Sequence, residues 1–207
     1  MLYVTVLIVL ALSCSGVDMF IRSTPPERKA SRNLIKKWGQ WYTFSDVNHD
    51  EVISDDDFEQ FDHNFYERLG NVNDGQLNTI KRRFYRIWKE VILNYQKEIS
   101  KDDFIEMMAQ RYDLDQKAFT EMIREFTKAL CKVIDVNGDN FISEEESMTD
   151  LAAAGHNKMT ENKKFFMTFQ PKNGVIPVEK IITEFARSVT EKFETKPDLF
   201  EKAYTDL

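Results

Sequence analysis

Four isoleucines, Ile53, Ile99, Ile142 and Ile176, each stand inside a short polar segment flanked on both sides by helical stripes. A helical bundle with unrelated loops gives no reason for one apolar β-former to recur at the same place in every loop. Loops that pair two by two do give one, because each pair makes a two-stranded ribbon that buries its central side chains. The stripes run at three- and four-residue steps. Leu34, Trp38 and Trp41 precede the first loop, and Phe58, Phe61, Phe65 and Leu69 follow it. Ile80, Phe84, Trp88 and Val91 lead to the second, with Phe104, Met107 and Met108 beyond. Phe119, Met122, Phe126, Leu130 and Ile134 lead to the third, then Met148 and Leu151. Phe165, Phe166 and Phe169 precede the fourth, and Ile181, Phe185 and Val189 follow. The expected fold class is all-α: four helix–loop–helix units in two pairs, 28–110 and 112–190, with short β-bridges between paired loops. A turn is expected at 71–75 and a tail at 191–207.

Two loops carry oxygen ligands at the spacing a hard cation needs. Calcium takes six to eight oxygens at about 2.3–2.6 Å, and a twelve-residue loop supplies them from positions 1, 3, 5, 7, 9 and 12. In the segment from Asp46 to Asp57 these are Asp46, Asn48, Asp50, the Val52 carbonyl, Ser54 directly or through water, and Asp57. From Asp135 to Glu146 they are Asp135, Asn137, Asp139, the Phe141 carbonyl, Ser143 and Glu146. With average residue usage, a match at all constrained positions arises by chance about once in 10⁴–10⁵ starting points. Two matches between helical stripes set aside the reading as plain acidic surface loops.

The two loops should differ. Glu146 is long enough to offer both carboxylate oxygens, which suits the higher coordination number of calcium. Asp57 is one methylene shorter, and a one-oxygen closer in a contracted loop tolerates Mg2+, which wants six ligands at about 2.0–2.1 Å. Two Ca2+ sites are expected, with Mg2+ competing at the first. Position 6 needs a sharp turn: Asn140 accepts a left-handed conformation readily, whereas Glu51 adopts one at a cost of roughly 1–2 kcal/mol. The segments 92–103 and 169–180 look structural. The first offers Ile92, Asn94 and Gln96 with Asp103 as closer; the second offers Phe169, Pro171 and Asn173 and closes with Lys180, which cannot ligate a cation.

Leu2 to Leu12 is apolar apart from Thr5 and ends in Ser13, Cys14, Ser15 and Gly16. It is too short for a comfortable membrane span and fits a secretory signal peptide over residues 1–16, although no Lys or Arg precedes it. The expected location is the secretory pathway, outside the cell or in the endoplasmic-reticulum lumen; the alternative is a membrane anchor formed by the uncleaved leader. Cleavage would leave Cys131 alone, among Leu130, Val133 and Ile134, as a small buried hydrophobe. The formal charge is −7, and no basic cluster suggests nucleic acid. Arg28-Lys29 and Lys36-Lys37 could touch a membrane or an acidic partner, or lie on a solvated helical face.

The layout resembles the EF-hand superfamily, in particular invertebrate sarcoplasmic calcium-binding proteins, and more distantly calexcitin and the coelenterazine-binding photoproteins. The resemblance covers about Asn33 to Val189. It is carried by Asp46-Val-Asn-His-Asp-Glu-Val-Ile-Ser with Asp57, by the degenerate second hand around Trp88 and Phe104, and by Asp135-Val-Asn-Gly-Asp-Asn-Phe-Ile-Ser-Glu. It implies a compact four-hand molecule that buffers calcium and magnesium. The leader and the ligand-poor fourth loop depart from the family, whose members are generally cytosolic. Three functions compete: a non-enzymatic calcium buffer or carrier; a sensor that opens a Met-rich groove (Met107, Met108, Met122, Met148) to a partner protein; and a photoprotein-like carrier of a hydrophobic molecule. The three histidines, His49, His63 and His156, form no catalytic arrangement by spacing, so enzyme activity is not expected.

Overall fold

The computed structural model describes residues 29–69, 75–191, 198–200 and 202. The leader, Arg28 and residues 71–74 of the expected turn fall outside the described residues. Eight α-helices are present among them: α1 (Arg32–Ser45), α2 (Asp55–Arg68), α3 (Gly75–Trp88), α4 (Lys101–Leu114), α5 (Gln116–Ile134), α6 (Glu144–Ala153), α7 (Met159–Thr168) and α8 (Val178–Thr190). Four three-residue strands lie between them: β1 (Val52–Ser54), β2 (Glu98–Ser100), β3 (Phe141–Ser143) and β4 (Val175–Pro177). The strands pair antiparallel as β1–β2 and β3–β4, with Ile53 opposite Ile99 and Ile142 opposite Ile176. All four isoleucines are buried, as the loop-pairing argument requires.

Local chemistry sets the helix starts. Ser31, Ser54, Ser100, Asp115 and Ser143 each cap a helix by accepting a backbone N–H, which satisfies donors the first turn leaves free. At Ser54 and Ser143 the cap is reciprocal: the loop's last carboxylate returns to the serine's own amide. That capping box makes position 12 of each loop part of the following helix.

Helix α3 does not stop cleanly. It runs into a π-helical turn, Lys89–Leu93, ended by Asn94 at φ 50°. Val91, Ile92 and Leu93 are all buried there, so the first two positions of the second loop are core residues.

The core crosses from the first half of the chain to the second. The Trp41 ring meets Phe104, Phe126 and Phe185 edge-on at centroid distances of 5.5, 5.4 and 5.3 Å. Phe84 lies 5.7 Å from Phe126, and the Trp38 indole N–H donates to the Val189 carbonyl at 2.9 Å. Aromatic burial of this kind dominates core energetics. Met107, Met108 and Cys131 are packed inside as well. Beyond α8, Phe200 packs against Phe169, Phe185 and Phe165.

One expected surface feature is buried. Lys37 is only 4% exposed and forms an ion pair with Asp198 at 2.6 Å. The register of α1 explains it: Leu34, Lys37, Trp38 and Trp41 share the inward face. Lys29 is occupied too, its ammonium donating to the Asp113 carbonyl at 2.6 Å. Among the described residues, no helix is long and apolar enough to cross a membrane.

Candidate metal-binding loops

The first and third loops fold on one hydrogen-bond plan. In the first, Asp46 accepts from the Glu51 amide (3.2 Å), Asn48 from the Asp50 amide (2.9 Å) and Asp50 from the Val52 amide (3.0 Å). In the third, Asp135 accepts from Asn140 (2.9 Å), Asn137 from Asp139 (2.9 Å) and Asp139 from Phe141 (2.8 Å). Positions 1, 3 and 5 are thus turned into the loop by its own amides. Each carboxylate oxygen keeps a second lone pair, so an amide and a cation can share it.

The turn at positions 4 to 6 uses left-handed backbone in both loops. His49 and Glu51 have φ of 59° and 69°; Gly138 and Asn140 have 73° and 64°. Glu51 does adopt the conformation that the sequence marks as costly.

Position 12 closes both loops. Asp57 accepts from the Val47 amide at 2.8 Å and the Asn48 amide at 3.3 Å with one oxygen, and from the Ser54 amide at 2.7 Å with the other. Glu146 does the same with Val136 at 3.0 Å and Ser143 at 2.9 Å. Asp57 is 1% exposed, and burial raises its carboxyl pKa above the ordinary aspartate value, opposed by the three amides. The hydroxyls of Ser54 and Ser143 serve the caps, so at position 9 a water-bridged role suits them better than direct ligation.

The position-7 carbonyls face inward. The Val52 and Phe141 amides each donate to the Asp at position 5 of their own loop. In a strand the amide and carbonyl of one residue point to the same side, so both carbonyls turn toward the loop interior.

Burial separates the two. Asp46 is 7% exposed, and its Oδ1 is buried without a hydrogen-bond partner. Asp135 is half-buried, and residues 136–141 are exposed. Gly155, at φ 92°, covers the first loop: a Cβ there would lie 3.5 Å from the Val47 carbonyl and 3.6 Å from His49 Nε2. His156 stacks on Phe44 at 4.9 Å. His63 lies on the surface near Glu67. Among the described residues, no group of three His, Cys, Asp or Glu is already drawn together tightly enough to hold a metal. The carboxylates of each loop are drawn instead onto its backbone amides, and the loop oxygens include amide and carbonyl groups as well. An all-oxygen donor set with a buried, unpartnered carboxylate oxygen fits a hard cation such as calcium or magnesium.

The other two loops are closed by protein cations. Lys180, at position 12 of the fourth, donates its ammonium to the carbonyl of Phe169, position 1, at 2.5 Å. Arg111 on α4 donates to the Val91 carbonyl (2.7 Å), the Glu90 carbonyl (2.9 Å) and Asn94 Oδ1 (3.0 Å) at the start of the second. The sequence marks Lys180 as unfit to ligate; it holds no hint that Arg111, many residues away, would serve the second loop. Tyr42 was equally hidden. Its hydroxyl lies 2.8 Å from the Glu51 carbonyl and 3.2 Å from the Ile99 carbonyl, linking α1 to both members of the first pair. Burial raises the Tyr42 phenol to about 12, helped by Asp46.

No family model matches the chain. It is 27% identical over 173 residues to the sarcoplasmic calcium-binding protein of Mizuhopecten yessoensis, covering 83% of this chain and 97% of the relative. Among solved structures it is similar to the coelenterazine-binding protein of Renilla muelleri in its calcium-loaded apo form. That likeness has a TM-score of 0.68 at 19% identity, over 84% of this chain and 96% of the other. It is also similar to an amphioxus sarcoplasmic calcium-binding protein, with a TM-score of 0.54 at 17% identity over 84% and 97%. The photoprotein mitrocomin of Mitrocoma cellularia gives 0.63 at 16%, over 83% and 90%. The chain has the four-hand EF-hand architecture of these proteins, and its sequence resembles the sarcoplasmic calcium-binding proteins.

Proposed function

We propose that this chain is a calcium-binding protein that takes the ion at two loops and works as a buffer or carrier without catalysing a reaction. Asp46, Asn48, Asp50, the Val52 carbonyl and Asp57 would hold one ion, with Ser54 through water. Asp135, Asn137, Asp139, the Phe141 carbonyl and Glu146 would hold the other, with Ser143 likewise. The observation that carries the reading is the buried Asp46 Oδ1 without a partner, inside a loop whose other donors are already turned inward. Leaving such an oxygen uncompensated costs about 1–3 kcal/mol; a bound cation removes that cost. The sarcoplasmic calcium-binding protein of Mizuhopecten yessoensis and the calcium-loaded coelenterazine-binding protein of Renilla muelleri support calcium as the ion.

Competition by magnesium at the first loop belongs to the same proposal, because Asp57 is short and held deep. Isothermal titration of the chain with calcium, with and without millimolar magnesium, tests it alongside Asp46→Ala and Asp135→Ala. Two sites, one lost in each variant and the Asp46 site weakened by magnesium, are expected. A single site lost only with Asp135 would remove the first loop from the proposal, and no binding would remove both.

The leader extends the proposal to location. Residues 1–16 would direct the chain into the secretory pathway. Intact mass of the chain recovered from the medium of expressing cells checks this: loss of the first 15 or 16 residues supports it, and a full-length membrane-bound chain supports the anchor.

A further inference from the structure

His49 and His156 come from different halves of the chain and meet at one groove. His49 is position 4 of the first loop, on left-handed backbone at φ 59°, and its ring lies against the link between α6 and α7. Its Nε2 stands 3.6 Å from where a Cβ of Gly155 would lie. Gly155, at φ 92°, has no side chain and leaves that space to the imidazole. The next residue is His156, whose ring stacks on Phe44 of α1 at 4.9 Å with 19° between the planes. Both imidazoles line a surface groove of about 590 Å³ beside α1 and α4.

Neither ring has a hydrogen-bond partner among the described residues, and His156 Nε2 is buried without one. An idle buried nitrogen is costly for folding, and a phenylalanine at 156 would keep the stack on Phe44 without that cost. Burial, and after it the charge of His49, lower the His156 pKa, so the ring is neutral at pH 7 and keeps a lone pair. The surroundings select the ligand. No Asp or Glu lines the groove, and Lys36 and Lys101 stand in its wall. A hard cation attracted by charge has nothing there to hold it. Two neutral imidazoles suit a borderline transition metal, which bonds strongly to nitrogen without needing an opposite charge.

We propose that His49 and His156 form a zinc site apart from the calcium loops, with the two imidazoles as protein ligands and water in the remaining positions. His156 is fixed by its stack and its burial. His49 is exposed and is the arm that closes on the ion. The inference stands without the calcium reading, and its test is run at saturating calcium to keep the loop oxygens occupied.

Calorimetric titration of the untagged full chain with zinc chloride is expected to show one zinc ion per chain. His49→Asn suits the left-handed backbone, and His156→Phe keeps the stack on Phe44. Each should weaken zinc at least about tenfold, the loss that follows even when only a ligand's supporting partner is removed. His63→Gln, exposed on α2, should leave the affinity unchanged. The ring-proton resonances of the parent chain give a second reading: zinc should shift those of His49 and His156 together and leave those of His63 in place. No zinc binding, a site that survives either substitution (as an ion held by the loop carboxylates would), or an equal shift at His63 would overturn the proposal. Should His156→Phe fail to fold, the ring resonances and His49→Asn still decide.

Discussion

At residue scale, Glu51 and Lys180 show two ways a loop departs from an ideal ligand set. Glu51 holds φ 69°, which a side chain with a Cβ adopts at a cost of about 1–2 kcal/mol and glycine does not. Glu51→Gly also loosens the unfolded chain, so the expected net gain is about 0.5–1 kcal/mol, read as a higher midpoint in urea. Calcium affinity at the first loop should rise with it. Lys180 replaces a ligating carboxylate with an ammonium bonded to the Phe169 carbonyl. Restoring a carboxylate with Lys180→Glu is not expected to add a calcium ion to the stoichiometry, because Phe169 and Pro171 still offer no side-chain oxygen. A third ion in the titration would show that position 12 alone had disabled that loop. Both departures are legible in the sequence: a non-glycine at position 6 and a cation at position 12 are read directly from residue type.

At the scale of elements, each loop proposed to hold calcium pairs with a loop that lacks its ligand set. Ile53 pairs with Ile99 across β1–β2, and Tyr42 bridges the Glu51 and Ile99 carbonyls. Ile99→Ala should therefore cost about 2–5 kcal/mol in stability and weaken calcium at the first loop, although residue 99 lies outside it. Unchanged affinity at the first site by calorimetry would mean the ribbon transmits nothing. The pairing was legible because four isoleucines recur at one loop position. The clamp on the second loop was not. Arg111 reaches the π-helical turn only because α4 packs alongside it, and no local pattern around Arg111 marks it as different from an exposed helical arginine.

At the scale of the whole molecule, one buried ion pair and one desolvated carboxyl set how stability responds to change. The Lys37–Asp198 pair joins α1 to the segment beyond α8, with the two side chains 3% and 2% exposed. Asp198→Ala removes the carboxylate that faces a buried ammonium and is expected to cost about 3–5 kcal/mol, whereas Lys37→Met with Asp198→Leu should recover most of that loss. Chemical denaturation of the three variants distinguishes them. Asp150 governs a pH response. Its folded pKa, about 7, lies above the ordinary value of 3.8. The folded chain therefore keeps a proton that the unfolded chain releases between those values, and the contribution present below pH 4 is lost as pH rises through about 7. Asp150→Leu should flatten the fall in stability between pH 4 and 7 by an amount on the order of a few kcal/mol. An unchanged slope would show that the carboxyl is not held neutral by burial.

The sequence by itself determined the helix–loop–helix repeat, the pairing of the loops and the oxygen sets at 46–57 and 135–146. These follow from spacing within a dozen residues, where backbone geometry fixes which side chains can meet. Tertiary structure decided the rest. Lys37 reads as a surface charge on an amphipathic helix until neighbouring elements close over it. Burial is a property of what packs above a residue, and no local pattern contains that. The same holds for a pocket of about 140 Å³ between the helices, whose wall draws on residues from Trp41 to Phe200: it depends on how seven of the eight described helices fill the space between them, which is set only when side-chain volumes meet in three dimensions.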